Sequence, residues 1–320
     1  MQPCLPKPLP CLAFPDGTFF CLPHRESYQF PSTVSYHSSC DEWLVFLHDG
    51  KCSVKNPFSK ITLTLPNLSC LCPIDEPVEI INGRVTRVNL EDEMPQEPLN
   101  MDAGMAIDKV IVCSELLVAA VVSIGPFKTV ALCRPGAESW SVSRLGSRLG
   151  SKGNIRDMML YEGKLYALDG FKDLLVIIVG EDDENGKLSI SRIERLIETR
   201  TIFGKLPDDD DRTLTEPVGV KFDVFKADFY FSRWEDVTSV GDEWALFVSE
   251  SYSRSVSVSQ YNKLKGNCIS FLDDGTPDWF WKSQPSSYIV YDMSDGDTYL
   301  PIPDGSFKGE KAPATWLFPH

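Results

Sequence analysis

Residues Trp244 to Asp274 read WALFVSESYSRSVSVSQYNKLKGNCISFLDD, three short apolar runs parted by polar turns. In the middle run Ser255, Ser257 and Ser259 alternate with Val256 and Val258, the period-two pattern of a strand with one buried and one wet face. The flanking runs, Ala245 to Val248 and Cys268 to Leu272, are apolar without alternation, which predicts strands covered on both faces. Strands this short, this close together and this well punctuated by turns point to an all-β chain.

The same pattern recurs outward from this stretch. A first group of strands runs from Cys11 to Pro31, with Asp16-Gly17 as a hairpin turn, after a short extension over residues 1–10. A second runs from Val34 to Leu65, where Trp43 to Leu47 is strongly apolar and Asp49-Gly50 turns the chain into Cys52 to Val54. From Asn67 to Ala103 the sequence is acidic and contains prolines, which predicts an elaborated loop or one irregular hairpin, with Val78 to Ile81 and Arg84 to Leu90 as weak strands. A third group holds Lys109 to Cys113, Leu117 to Ile124, Thr129 to Cys133 and Trp140 to Leu145, four strands with short links, the unit of a propeller blade. After the Gly- and Ser-rich connector Gly146 to Asn154 comes a fourth group: Met158 to Tyr161, Lys164 to Asp169, Leu174 to Val179 and Leu188 to Ile193.

The fifth group, Glu198 to Val240, is less complete. It contains the solvated run Asp208-Asp209-Asp210-Asp211, then Val218 to Ala227 and Phe229 to Val240 as two or three strands. The sixth begins at Trp244 and continues through Ser287 to Asp292 and Thr298 to Pro301. Repetition at this spacing predicts one β-propeller domain over residues 11–320, with six blades, or seven as the alternative. Trp316-Leu317-Phe318 has no neighbouring strand in sequence, and the first group has only three strands. Residues after Ala312 are therefore expected to complete the first blade, closing the propeller and removing exposed sheet edges.

Several motifs, in chain order, carry a family resemblance. They are Phe14-Pro15-Asp16-Gly17-Thr18-Phe19, Val54-Lys55-Asn56-Pro57-Phe58 followed by Leu63-Thr64-Leu65-Pro66, and Tyr161-Glu162-Gly163-Lys164-Leu165-Tyr166-Ala167. The opening stretch, Tyr288-Ile289-Val290-Tyr291-Asp292 and Ala314-Thr315-Trp316-Leu317-Phe318-Pro319 follow. In this order they resemble the KIB-type β-propeller, a domain common in plant F-box proteins. The resemblance departs in the fifth group, where an additional strand pair is expected before Val224-Phe225-Lys226. It implies a substrate-receptor role: in related plant proteins an N-terminal F-box recruits a Skp-cullin ubiquitin ligase while the propeller holds the target. This chain opens almost directly on its first strands, so no F-box domain is expected in it. It is expected either as an F-box-less member or as a fragment without the adaptor part. A Skp adaptor and cullin are then partners only if an F-box is present in the full-length product.

Composition narrows the function. The net charge of −15 argues against nucleic acid, whose binding rests on clustered Lys and Arg. Runs such as Val118 to Ile124 and Leu174 to Val179 are strand length, far short of the ~20 residues of a membrane helix, so no membrane partner is expected. Prolines interrupt the N-terminus where a signal peptide needs a continuous apolar segment, which predicts an intracellular protein, in cytoplasm or nucleus and not secreted. The ten cysteines sit mostly inside apolar runs, as Cys113 and Cys133 do, and are expected as buried thiols. Cys70-Leu71-Cys72 lacks the spacing of a zinc site, and no metal or cofactor is expected.

Catalytic patterns are scarce among the four histidines, His24, His37, His48 and His320. His48, beside Asp49-Gly50, reads as a turn residue with no nucleophile to serve. A non-enzymatic protein-interaction module is the expected function; the alternative is an enzyme, such as a hydrolase, with an unrecognised site on a propeller scaffold. The expected partner-binding residues are Trp279, Phe280 and Trp281, because three adjacent bulky aromatics cannot all face one side of a strand and aromatics anchor interfaces. Packing of two of them under their own loop is the competing structural role. The protein target is not named by the sequence.

Overall fold

A computed structural model describes residues 10–14, 17–21, 26–29, 36–74, 79–81, 85–87, 105–144, 154–181, 188–199, 222–249, 251–260, 264–272, 288–299 and 314–318. The described residues form twenty-six strands and one short 3-10 turn. Strands β1 (Cys11–Ala13), β2 (Thr18–Cys21) and β3 (Glu26–Gln29) make blade 1. Blade 2 holds β4 (Ser38–Cys40), β5 (Trp43–His48), β6 (Lys51–Lys55) and β7 (Thr62–Leu65). Next come β8 (Leu71–Ile74) and a hairpin of β9 (Glu79–Ile81) with β10 (Val85–Arg87).

Blade 3 is β11 (Ala106–Ser114), β12 (Leu117–Ile124), β13 (Phe127–Cys133) and β14 (Trp140–Ser143). Blade 4 is β15 (Ile155–Tyr161), β16 (Lys164–Asp169), β17 (Leu174–Glu181) and β18 (Leu188–Ile197). A second hairpin pairs β19 (Val224–Asp228) with β20 (Arg233–Val237). Blade 5 contains β21 (Trp244–Val248), β22 (Arg254–Ser257), β23 (Cys268–Leu272), β24 (Tyr288–Asp292) and β25 (Thr298–Tyr299). The last strand, β26 (Thr315–Leu317), lies antiparallel on β1, giving the order β26-β1-β2-β3.

The architecture is an all-β propeller, and the expected six or seven blades are corrected to five sheets of four or five strands among the described residues. The shortfall falls in the fifth sequence group, where the described residues supply a two-stranded hairpin and no full sheet. Of the loop or irregular hairpin expected between Asn67 and Ala103, β9 and β10 pair as the hairpin, while β8, which was not expected, adds in parallel to the outer side of β14. In blade 5 the order is β22-β21-β23-β24-β25, with β21 parallel to β23.

The faces of the sheets explain the sequence patterns. In β12 the residues Val118, Ala120 and Val122 pack with blade 2, while Ala119 and Val121 pack with blade 4, so both faces are dry and the run is apolar throughout. Blade 1 is sandwiched likewise: Leu12 and Phe20 join the blade 5 core, and Cys11, Ala13, Phe19 and Cys21 join Leu44 of blade 2. In the stretch at 244–274, β23 is buried almost throughout, but β21 alternates, with Ala245 and Phe247 buried and Trp244 exposed. The expectation of cover on both faces therefore fails for β21. The Ser-Val alternation holds over Arg254–Ser257 and ends at Val258, where a 3-10 turn begins.

The Lys-Gly-Asn-Cys turn of that stretch is a clamp. Asn267, at positive φ, accepts hydrogen bonds on Oδ1 from Ser239 Oγ (2.8 Å) and the Val240 amide (3.0 Å). Its Nδ2 donates to Ser294 Oγ (3.1 Å), and its carbonyl accepts the Met293 amide (3.0 Å). One buried side chain thus ties the exit of the β19–β20 hairpin to the β24–β25 turn. Gly266 beside it has no room for a side chain, since a Cβ would stand 1.8 Å from the Asp242 carbonyl oxygen.

Candidate functional site

The expected anchors Trp279, Phe280 and Trp281 lie outside the described residues, as do Asp208 to Asp211. His48 ends β5, paired with Lys51 just before the expected turn, 3.2 Å from Asp49 and exposed with it; Asp49 and Gly50 both have positive φ, as a tight hairpin turn requires. Cys70 is exposed and Cys72 partly so. Among the described residues no group of three or more His, Cys, Asp or Glu side chains is placed to hold a metal ion. No helix among them is long and apolar enough to cross a membrane.

The thiols are mostly sequestered. Burial pushes Cys40, Cys52 and Cys113 up to about 12, which suppresses thiolate at neutral pH. Cys11 and Cys21 face each other across β1 and β2 with sulfurs 2.7 Å apart, and the hydrogen bond between them, with burial, raises Cys11 far above its ordinary range.

The most conspicuous surface feature is the tip of the β19–β20 hairpin. Phe229, Tyr230 and Phe231 are consecutive there and 51%, 87% and 63% exposed. Asp228 builds the turn that presents them: its Oδ1 accepts the amides of Tyr230 (3.0 Å) and Phe231 (3.1 Å), and Ser232 closes the turn at φ 51°. Tyr230 meets Phe231 edge to face at 4.7 Å between centroids, and the Arg233 guanidinium lies 5.1 Å from the Phe231 centroid. Phe229 leans on Tyr166 of β16 at 5.8 Å, and Tyr166 meets Tyr161 of β15 at 6.2 Å. Exposed Met159 stands directly opposite Tyr166 in the sheet, so the apolar surface continues from the hairpin onto blade 4.

The hairpin is held from both sides. Trp234 Nε1 donates to the Lys172 carbonyl (2.9 Å) in the β16–β17 turn, and Phe222, just before β19, stacks on Phe271 of blade 5 at 4.1 Å. The β16–β17 turn is itself built around a buried carboxylate. Asp169 Oδ1 accepts the amides of Phe171 and Asp173, both at 2.9 Å, while Oδ2 is buried with no hydrogen-bond partner. Loss of hydration raises Asp169 to about 6, against the lowering effect of the backbone amides. Asp173 accepts the Thr199 amide (2.6 Å) and sits 3.1 Å from Arg195 Nε.

Sequence patterns read Phe229 as the start of a strand, and the tip was missed. The available signal was Asp228 ahead of three adjacent aromatics, an Asx-turn former in front of residues that cannot share one strand face.

The five sheets of four or five strands among the described residues define a β-propeller. More particularly, the chain belongs to the KIB1-4 beta-propeller family, whose family model matches residues 13–292. No match was found among the curated proteins compared with it.

Proposed function

We propose that the chain is a non-enzymatic protein-interaction module that holds a protein target on its propeller surface. The observation that carries this reading is the hairpin tip, where Phe229, Tyr230 and Phe231 stand in solvent on a turn fixed by Asp228 and braced by Trp234. Exposing adjacent large apolar side chains on a braced turn is unfavourable for an isolated domain and characteristic of an interface anchor. Trp279, Phe280 and Trp281 belong to the same proposal as a second aromatic run in the sequence.

Membership of the family supports reading the chain as the target-holding propeller of an intracellular ubiquitin-ligase receptor. A Skp adaptor and cullin belong to this reading only if an F-box is present in the full-length product. The pairing of β26 with β1 supports a propeller closed between its two chain ends, which keeps the binding turns rigid. Affinity purification from native tissue tests the proposal. The unaltered chain is expected to retain a specific protein that the Tyr230→Ser/Phe231→Ser chain loses, or that a Trp279→Ser/Phe280→Ser/Trp281→Ser chain loses. Identical partners on all three chains would refute it.

A further inference from the structure

We infer that the β19–β20 tip binds a basic segment of its partner, one carrying Lys or Arg side chains; this deepens the interaction reading above and depends on it. The first argument is the state of the rings. Tyr230 is the most exposed large apolar side chain among the described residues, and an open aromatic face attracts a cation. The tip already holds one, Arg233 over Phe231, and the same pairing recurs with Arg254 over Phe318 (5.5 Å) and Lys55 over Phe46 (5.4 Å).

The second argument is charge. Exposed carboxylates lie close in sequence to these aromatics: Glu162 next to Tyr161, and Glu235 and Asp236 on β20. The hairpin's own cations, Lys226 and Arg233, each stand 3.8 Å from a carboxylate, Glu235 and Asp228 respectively. The Lys226–Glu235 pair is solvent-exposed and weak, open to exchange for an incoming Lys or Arg, while Asp228 is mostly buried in the turn it builds. At longer range the net charge of −15 draws basic segments in and repels nucleic acid and anionic membranes.

The test is selection of binders to the intact chain from a random-peptide phage library. Enriched peptides are expected to carry clustered Lys or Arg. Their capture should fall about tenfold or more on the Tyr230→Ser/Phe231→Ser chain and on a Glu235→Lys/Asp236→Lys chain, and with salt raised from about 0.05 to about 0.5 M. These positions are exposed, so circular dichroism should show both variants folded. Enriched acidic or purely apolar peptides that still lose binding to the Tyr230/Phe231 variant would overturn the basic-segment inference and leave the interaction surface standing. Basic peptides captured equally by both variants, or no enrichment, would overturn the inference at this site.

Discussion

Replacing Trp316 by alanine should remove a large part of the stability of the whole chain. Trp316 is fully buried on β26, between blade 1, to which β26 is hydrogen-bonded, and blade 5. Its ring meets Phe247 edge to face at 4.9 Å and Tyr288 at 5.3 Å, and its Nε1 donates to the Val248 carbonyl at 3.3 Å. Burying roughly 200 Å² of aromatic surface at about 25 cal/mol per Å² amounts to ~5 kcal/mol, of which alanine retains a small part. Core Trp→Ala replacements lose ~3–5 kcal/mol, and the orphaned Val248 carbonyl adds about 1 kcal/mol. A loss of ~4 kcal/mol is a third or more of a typical domain's stability. Urea denaturation followed by tryptophan fluorescence and circular dichroism measures it, with the midpoint falling at unchanged slope. Removing residues after Lys311 should do at least as much damage. A loss below about 1 kcal/mol for Trp316→Ala would refute the seating of β26 between blades 1 and 5.

Other expectations follow from single sites. Asp169 keeps its proton up to about 6 in the folded chain, above the ordinary 3.8, so the folded state binds more protons between those values. The contribution of Asp169 to stability should therefore be fully present below pH 4 and fall by up to about 3 kcal/mol as pH rises through 6, and Asp169→Asn should remove that component from denaturation midpoints measured across pH. Gly266→Ala should destabilise by ~2 kcal/mol or more, because the new Cβ meets the Asp242 backbone and displaces the Asn267 clamp; an unchanged thermal midpoint would contradict the clamp. Brief alkylation of the native chain, read by peptide mass spectrometry, should modify Cys70 and spare Cys11, Cys21, Cys40, Cys52 and Cys133 until denaturant is added.

Much of the fold is legible where local pattern and tertiary cover agree. The run Val118 to Val122 is apolar because neighbouring blades dry both its faces, and Asp49-Gly50 announces the β5–β6 turn because both residues take positive φ. Legibility fails where pairing is remote. Nothing local marks β8 as a strand, since its partner β14 lies far along the chain and Pro73 speaks against a strand interior, though an edge position tolerates it. The alternation of β21 was masked because Leu246 and Val248 are apolar yet only half-buried.

The candidate site was read less well than the scaffold. The sequence offers a contiguous aromatic run twice, at Phe229 to Phe231 and at Trp279 to Trp281, and only the first lies among the described residues. Only a turn set by Asp228, with Trp234 reaching back to Lys172, determines that the first run faces solvent. The Trp234–Lys172 contact joins residues separated by a blade boundary, which no local pattern encodes. Asn267 was visible only as part of a family motif, and its four-way hydrogen bonding explains why the motif matters physically.

The central claim, that the hairpin tip is where a partner docks, is tested most directly by a photocrosslinking residue placed at position 230 of the full-length product in its native cells. Exposed Leu116, on the β11–β12 turn of blade 3, is the comparison position. Crosslinking from position 230 should give a discrete protein adduct that position 116 does not give. No adduct at 230, or the same adducts from both positions, would contradict the account.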